Sequence, residues 1–347
     1  MRTIIAANWK MNKTRTEAKA TAHELASILG GAPDDRDVVV FAPFTALEAT
    51  REGLDGAPGI FVGAQNMYPA ESGAFTGEIS PAMLREAGCT WVLTGHSERR
   101  HVLGESPDFV GKKTAFALEQ GFYVILCIGE TLAERKAGKL NSILWLQLER
   151  GLAGLGPNAD YSRLAVAYEP VWAIGTGQTA SDEDIRMVHT LVRELLSSLL
   201  GSNGIGIQIL YGGSVKPDNA KAILSLDNVD GLLVGGASLQ AQSFADIVRA
   251  GSAQALSSLL RSSHRADPDS FLACHRMCNP RYPCPAPSGQ GRNGRHFRRR
   301  QRLRIRQLRC GRSVGQDDRF HGGTVYRHVL ELQLRVQLPQ SAGIHHS

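Results

Sequence analysis

The segment IQILYGGSVKPDNAKAILSLDNVDGLLVGG (207–236) holds two short apolar runs, and a pair of glycines follows each run. The runs IQILY and GLLV are rich in aliphatic residues and are typical of buried strands. Between them, Pro217 suits the first turn of a helix. The segment therefore predicts a strand, a helix and a second strand parallel to the first, because a helical crossover joins parallel strands.

The same alternation fills the chain before this segment. Six more runs have the composition of strands: TIIAAN from Thr3, DVVVFA from Asp37, IFVGAQ from Ile60, WVLTG from Trp91, YVILCIG from Tyr123 and LAVAYEP from Leu164. Most of them are apolar throughout instead of alternating, which is expected for parallel strands that are covered on both faces. The chain thus predicts eight parallel strands in about 250 residues, a length usual for such a barrel.

Helix signals lie between the strands. Thr14 and Glu17 have the spacing of a capping box, and Gly30 stands where that helix should end. Ser181 begins a second helix with an apolar stripe on one face. Eight strand–helix repeats predict an α/β protein with a (β/α)8 barrel. A doubly wound open sheet is the competing fold, but it would place G-x-G-x-x-G after strand one, where this chain has NWKMN.

Composition separates the chain into two parts. Residues 252–347 hold 17 Arg, no Lys and 5 acidic residues, a net charge of +12, whereas the rest holds 22 basic and 28 acidic side chains, a net charge of −6. The boundary predicts a barrel domain over 1–251 and an Arg-rich extension over 252–347. We find no run of 18 apolar residues and no signal peptide, and we therefore expect a cytoplasmic protein without a membrane span.

The extension has two interpretations. Its Pro, Gly, Ser and Arg content predicts a mostly disordered segment, translated from a GC-rich downstream or out-of-frame region. Alternatively, the cluster GRHFRRRQRLRIRQLRC (294–310) is a basic arm that binds the phosphate backbone of nucleic acid. Four residues of the extension could be read as zinc ligands, Cys274, His275, Cys278 and Cys284, but their spacing fits no standard zinc site, and we expect no metal site.

Polar residues follow several of the predicted strands. Asn8 and Lys10 follow the first strand, His96 the fourth and Glu169 the sixth, and in a (β/α)8 barrel all of them lie at the catalytic rim. His96 precedes a helix, whose positive end should lower the pKa of the imidazole and keep the ring neutral. Spacing alone leaves open whether His96 and Glu169 are catalytic or structural.

Glycines follow strands seven and eight, at Gly212, Gly213, Gly235 and Gly236. Each pair alone could be a tight turn. Both pairs together, on the adjacent strands where barrels bind phosphate, favour an anion site.

The segment PVWAIGTGQTA (170–180) follows Glu169 and has an apolar centre with small or kinked ends. It is either a lid that excludes water from the site or a packed surface loop.

The chain resembles the triosephosphate isomerase family from residue 1 to about 250. The motifs that carry the resemblance occur in family order: AANWKMN (6–12), GAQNMYPAESGAFTGEIS (63–80), TGHSERR (94–100), CIGET (127–131), AYEPVWAIGTG (167–177), YGGSVKPDN (211–219) and GLLVGGASL (231–239). The segments around Glu169 and His96 are the most specific of them. The family ends near residue 250, whereas this chain continues to residue 347.

The resemblance implies a TIM barrel that interconverts dihydroxyacetone phosphate and glyceraldehyde 3-phosphate through an enediolate, without a metal or cofactor. In it, Glu169 is the base and His96 the neutral electrophile. Lys10 and Asn8 bind substrate and stabilise the oxyanion, and Glu98 is a supporting carboxylate that contacts the lysine.

The resemblance also implies the remaining site residues. The phosphate is bound by Gly175, Ser214, Gly235 and Gly236, next to Asn8 and Lys10. The closing lid comprises Pro170, Val171, Trp172, Ala173, Ile174, Gly175 and Thr176. The family forms homodimers in which residues 65–80 reach into the partner near Lys10, with Thr76 and Gln65 as dimer contacts and Thr76 at the tip.

Three classes of function are open to a barrel with these residues. They are an isomerase, an aldolase that forms a Schiff base on Lys10, and an inactive barrel that carries a tail for nucleic acid. Borohydride trapping on Lys10 would indicate the aldolase, and proton exchange at the sugar carbon would separate the isomerase from the inactive barrel.

Overall fold

The computed structural model describes residues 1–156, 158–173 and 180–252. The strands are β1 (Thr3–Asn8), β2 (Arg36–Ala42), β3 (Ile60–Ala64), β4 (Cys89–Thr94), β5 (Tyr123–Ile128), β6 (Leu164–Tyr168), β7 (Gln208–Tyr211) and β8 (Gly231–Val234). The helices are α1 (Arg15–Leu29), α2 (Leu47–Gly53), α3 (Pro81–Glu86), α4 (Ser97–His101), α5 (Pro107–Glu119), α6 (Leu132–Lys136), α7 (Leu140–Leu152), α8 (Asp182–Leu200), α9 (Ser202–Ile205), α10 (Ala220–Leu224) and α11 (Ala241–Arg249). Short 3-10 helices cover Phe44–Ala46, Tyr161–Arg163, Val171–Ala173 and Gly236–Leu239.

The strands form one closed parallel barrel in chain order. Closure depends on β1, which pairs with β2 on one side and with β8 on the other, where Ile4 lies opposite Gly231 and Ala7 opposite Val234. The predicted (β/α)8 barrel is therefore confirmed. The competing doubly wound sheet is wrong, because an open sheet would leave β1 and β8 apart.

Two apolar layers hold the barrel together. Side chains that point inward, such as Phe41, Trp91 and Leu210, fill its interior. Their neighbours along each strand point outward and pack against the helices, as Val40 and Val92 do. This alternation follows from the period of two in a strand and makes the continuous apolar runs necessary, since both faces are buried.

The predicted helix ends are mostly confirmed. Thr14 and Glu17 form the capping box of α1, and Gly30 ends that helix with a left-handed φ of 66°. Ser181 caps α8. The prediction for Pro217 is wrong: α10 begins only at Ala220, because Pro217 lies in a turn that closes when Asn219 N donates to Lys216 O.

Residues 253–347 lie outside the described residues, and so do the expected disorder, the basic arm at 294–310 and the cysteines from Cys274 onward. Within the described ranges, none of the helices is long and apolar enough to cross a membrane.

Candidate active site

The C-terminal ends of the strands surround a cavity of about 430 Å³. The predicted residues that line it come from five strands and the turns that follow them: Asn8, Lys10, His96, Glu169, Ser214, Gly235 and Gly236. Glu98 does not line this cavity, but it contacts Lys10. Barrel closure thus brings together side chains that lie more than 200 residues apart in sequence.

Hydrogen bonds hold both the backbone and the ammonium group of Lys10. Its φ of 52° lies in the left-handed region, which a lysine adopts only when its surroundings require it. The backbone N–H of Lys10 donates to Asn8 Oδ1 at 3.0 Å, and Gln65 Nε2 donates to Lys10 O at 2.9 Å. The ammonium group lies 2.7 Å from Glu98 Oε1. Asn8, Gln65 and Glu98 together fix where the positive charge of Lys10 stands.

Glu169 is almost fully buried, with 2% of its surface exposed. One carboxylate oxygen, Oε2, accepts the backbone N–H of Ser97 at 2.9 Å. The other, Oε1, accepts the Ser97 hydroxyl at 3.2 Å and lies 3.0 Å from His96 Nε2. Burial by itself would raise the pKa of Glu169, but His96 and the Ser97 N–H outweigh burial, and the pKa is lowered. Glu169 is therefore an ionised carboxylate in this arrangement.

His96 has a defined tautomer. The backbone N–H of Glu98, at the start of α4, points at Nδ1 from 3.3 Å, which requires a lone pair on Nδ1. The ring proton then stands on Nε2 and faces the cavity. Burial alone would lower the pKa of His96, but the Glu169 carboxylate outweighs burial and raises it. The predicted lowering of this pKa is wrong for the present arrangement, because the sequence did not reveal that Glu169 lies against the ring.

Glycines at the ends of β5 and β7 make room for Glu169. A Cβ on Gly129 would stand 1.8 Å from Glu169 O, and one on Gly212 would stand 3.0 Å from Glu169 Cγ. Gly212 donates its N–H to Tyr168 O at 2.7 Å. Gly212 therefore continues the sheet ladder and provides space for the carboxylate, which is a different role from the anion binding that its glycine pair suggested.

Part of the cavity lining is backbone. Gly213, Ser214, Gly235 and Gly236 belong to it. Within the described part of the chain, the N–H groups of Gly213, Gly235 and Gly236 donate to no protein oxygen. Amide N–H groups that are left over in this way, with no glycine side chain beside them, are the groups with which proteins bind an anion such as a phosphate.

The first part of the predicted lid is described, and Ile174, Gly175 and Thr176 lie outside the described residues. Pro170 leads into a 3-10 helix over Val171–Ala173, and Ala173 lines the cavity. Trp172 Nε1 donates to Glu130 Oε1 at 2.9 Å, and the Arg135 guanidinium lies 4.8 Å from the centroid of the Trp172 ring.

Sequence reasoning assigned no role to three residues of this region. Ser97 binds Glu169, while Glu130 and Arg135 contact Trp172 at the start of the lid. The position of Ser97, directly after His96 at a helix start, is a signal that could have identified it. Glu130 and Arg135 carry no comparable signal, because their contact with Trp172 depends on how the segments after β5 and β6 pack.

A second hollow of about 190 Å³ lies beside Lys10, and its lining includes Gln65, Glu98 and Leu103. The segment 65–80 leaves β3 next to it, and Thr76 within that segment is exposed. The Gln65 amide, a predicted dimer contact, donates to Lys10 O and Phe41 O of its own chain. In the described ranges no cluster of three or more His, Cys, Asp or Glu side chains could hold a metal ion.

Comparison with known proteins agrees with this geometry. The sequence profile of the triosephosphate isomerase family matches residues 3–251. The triosephosphate isomerase of Nitratidesulfovibrio vulgaris is 57% identical over 251 residues, which are 72% of this chain and 100% of that protein. The enzyme of the same name from Oleidesulfovibrio alaskensis is 57% identical over 250 residues, again 72% of this chain and 100% of the relative. The one from Lawsonia intracellularis is 56% identical over 251 residues, or 72% of this chain and 99% of its own length. With its closed barrel, its cavity and these matches, the chain belongs to the triosephosphate isomerase family.

Proposed function

We propose that the chain interconverts dihydroxyacetone phosphate and D-glyceraldehyde 3-phosphate by proton transfer through an enediolate, a reaction of glycolysis and gluconeogenesis. One observation carries the proposal. The Glu169 carboxylate and the His96 ring, 3.0 Å apart, line a single cavity together with the backbone of Gly213, Gly235 and Gly236. A base, an electrophile and backbone amides in one cavity suit a small phosphorylated carbonyl compound.

Glu169 is the base. It removes a proton from C1 of dihydroxyacetone phosphate, and the electrons of that bond form the C1–C2 double bond of the enediolate. The protonated carboxyl then returns the proton to C2, which leaves the aldehyde at C1. To reach the substrate, Glu169 must give up its two bonds to Ser97. When the Glu169 side chain moves, its hydrogen bonds to Ser97 are therefore replaced by contact with the substrate carbon that loses the proton.

His96 is the electrophile. Its Nε2–H donates to the carbonyl oxygen as negative charge develops there, and it exchanges the proton between the two oxygens of the enediolate. When Glu169 moves to the substrate, the larger of the two carboxylate effects that raise the pKa of His96 leaves the ring, and only Glu98, whose Oε2 lies 3.4 Å from Nδ1, still raises it. Burial and Lys10 lower this pKa, and the Glu98 N–H needs an unprotonated Nδ1, so all three favour the neutral imidazole. The pairing of a carboxylate base with a neutral imidazole is the established description of this family's enzymes.

The remaining site residues bind and cover the substrate. Lys10, fixed by Asn8 and Glu98, places a positive charge near the developing oxyanion. Ser214, Gly235 and Gly236 hold the phosphate, together with Gly175 from the lid. The lid from Pro170 to Thr176 closes over the site and excludes water, which protects the enediolate.

The chain forms a homodimer through the segment 65–80, whose tip at Thr76 enters the hollow beside Lys10 of the partner. Large apolar residues near that hollow support this arrangement, since Met11 is 95%, Val102 77% and Leu103 62% exposed in the single chain.

Residues 1–251 form the catalytic domain, 252–347 are an extension that catalysis does not need, and the enzyme acts in the cytoplasm.

A coupled assay with glyceraldehyde 3-phosphate, and NMR detection of solvent deuterium at the sugar carbon, test the reaction on the full chain. We expect turnover and deuterium incorporation for the wild type, and neither for Glu169→Gln, which keeps the shape of the side chain and removes the base. Lack of exchange in the wild type would refute the proposal. Borohydride trapping of a ketose phosphate on Lys10 would instead establish the aldolase.

A further inference from the structure

The cavity has a second cation that the proposed mechanism does not use. Lys216 lines it and follows Ser214 by two residues. Lys10 is paired with Glu98 at 2.7 Å. By contrast, the structure gives Lys216 no carboxylate partner within 4.0 Å among the residues it describes. Lys216 is also exposed, so its charge acts at the mouth of the cavity.

The fold does not need the side chain of Lys216. Its backbone N–H donates to Asn219 Oδ1 at 2.8 Å, and its carbonyl accepts the N–H groups of Asn219 at 3.2 Å and Ala220 at 3.0 Å. These bonds form the turn before α10 and would persist with another side chain at this position. The amine is therefore available for another purpose.

A positive charge near the cavity can attract the phosphate of the substrate, which the net charge of the domain does not. Residues 1–251 carry a net charge of −6, although the full chain carries +6, so the charge of the domain itself does not attract a phosphate dianion. The amides of Gly213, Gly235 and Gly236 bind an anion only at contact distance, since they carry no net charge. An ammonium group at the mouth that pairs with none of the described carboxylates acts over a longer range, up to a Debye length of about 10 Å at 0.1 M salt.

We propose that Lys216 is a substrate-capture residue, which draws the phosphate group of the substrate toward the amides at the end of β7 and β8. This inference rests on the proposed function, because it names the residue that sets the rate of substrate entry. Lys216 acts before the chemical step, so it contributes to kcat/KM and not to kcat.

The test compares Lys216→Gln with Lys221→Gln in the full chain. Lys221 is an exposed lysine on α10 that does not line the cavity, so its substitution changes the net charge equally. At low salt we expect Lys216→Gln to lower kcat/KM by about three- to tenfold with kcat within about twofold, and Lys221→Gln to have little effect. At about 0.5 M salt the difference should shrink to less than about twofold, because screening removes the long-range attraction. Lys216→Arg, which keeps the charge, should restore kcat/KM.

Three results would overturn the proposal: an unchanged kcat/KM in Lys216→Gln at low salt, an equal loss in Lys221→Gln, or an equal loss in kcat. Equilibrium dialysis with inorganic phosphate separates this inference from the proposed function. Weaker phosphate binding in Lys216→Gln than in Lys221→Gln supports the capture role even if the wild type does not isomerise triose phosphates. Equal phosphate binding in the two variants contradicts it.

Discussion

His189 on α8 should make the protein less stable in mild acid. Its ring is fully buried, and Nδ1 lies 2.8 Å from Asn228 O, so Nδ1 carries the proton. The other nitrogen, Nε2, is buried without a hydrogen-bond partner among the described residues. Protonation of Nε2 would place a charge in an apolar site, and burial accordingly lowers the pKa of His189 to about 4.

The sign and size of the effect follow from linkage. Above pH 6.5 the ring is neutral in both the native and the unfolded chain. As the pH falls from 6.5 toward 4, the unfolded chain binds a proton at His189 and the native chain does not, so the free energy of unfolding decreases. With a native pKa of about 4 and an unfolded value of about 6.5, the loss between pH 7.5 and pH 4.5 is about 2.5 kcal/mol.

The measurement is urea unfolding, followed by circular dichroism at pH 7.5 and pH 4.5 and at one protein concentration. The comparison is with His189→Asn, whose amide nitrogen can take the place of Nδ1 and donate to Asn228 O. The smaller side chain shifts stability equally at both pH values. His96, whose raised pKa stabilises the native chain below pH 6.5, is present in both proteins and cancels. We expect the variant to lose about 2.5 kcal/mol less than the wild type over this range. Equal losses in the two proteins would refute the idea that His189 is kept neutral.

Three further predictions concern catalysis, packing and the extension. Glu169→Asp should lower kcat by about a hundredfold, because the carboxylate retreats by about 1 Å from the substrate carbon; near-normal turnover in the coupled assay would contradict its role as the base. Gly63→Ala should destabilise the barrel by about 1–3 kcal/mol, because the new Cβ would stand 2.4 Å from the Phe41 ring, whereas a Cβ on Gly156 would meet no described atom within 4 Å and Gly156→Ala is the control. Both can be compared by urea unfolding. A chain cut after residue 251 should keep its kcat and kcat/KM, and an insoluble or inactive product would show that the extension is part of the fold.

The sequence predicted the fold well because strand and helix periodicity are local properties. The eight apolar runs, the capping box at Thr14 and the Ser181 cap could each be identified within a few residues. One local signal, however, predicted the wrong start for a helix. Pro217 suits a helix start, but hydrogen bonds between Lys216 and Asn219 close a turn there and delay α10.

The site was predicted only in part. The rule that barrels place their chemistry at the strand ends gathered Lys10, His96 and Glu169 at one rim, and the cavity contains all three. The rule did not predict which neighbouring groups these three side chains contact. That Glu169 binds Ser97 and the His96 ring, and thereby raises the pKa of His96, depends on side-chain positions that no spacing in the sequence encodes.

The sequence by itself determined the order of the elements and the family, because these depend on local periodicity and on contiguous motifs. The tertiary structure alone decided the left-handed backbone of Lys10, the space that Gly129 provides for Glu169 and the place of Lys216 in the lining of the cavity. The physical reason is barrel closure. When β1 pairs with β8, side chains from distant strands must share one small volume, and their distances and protonation follow from that packing.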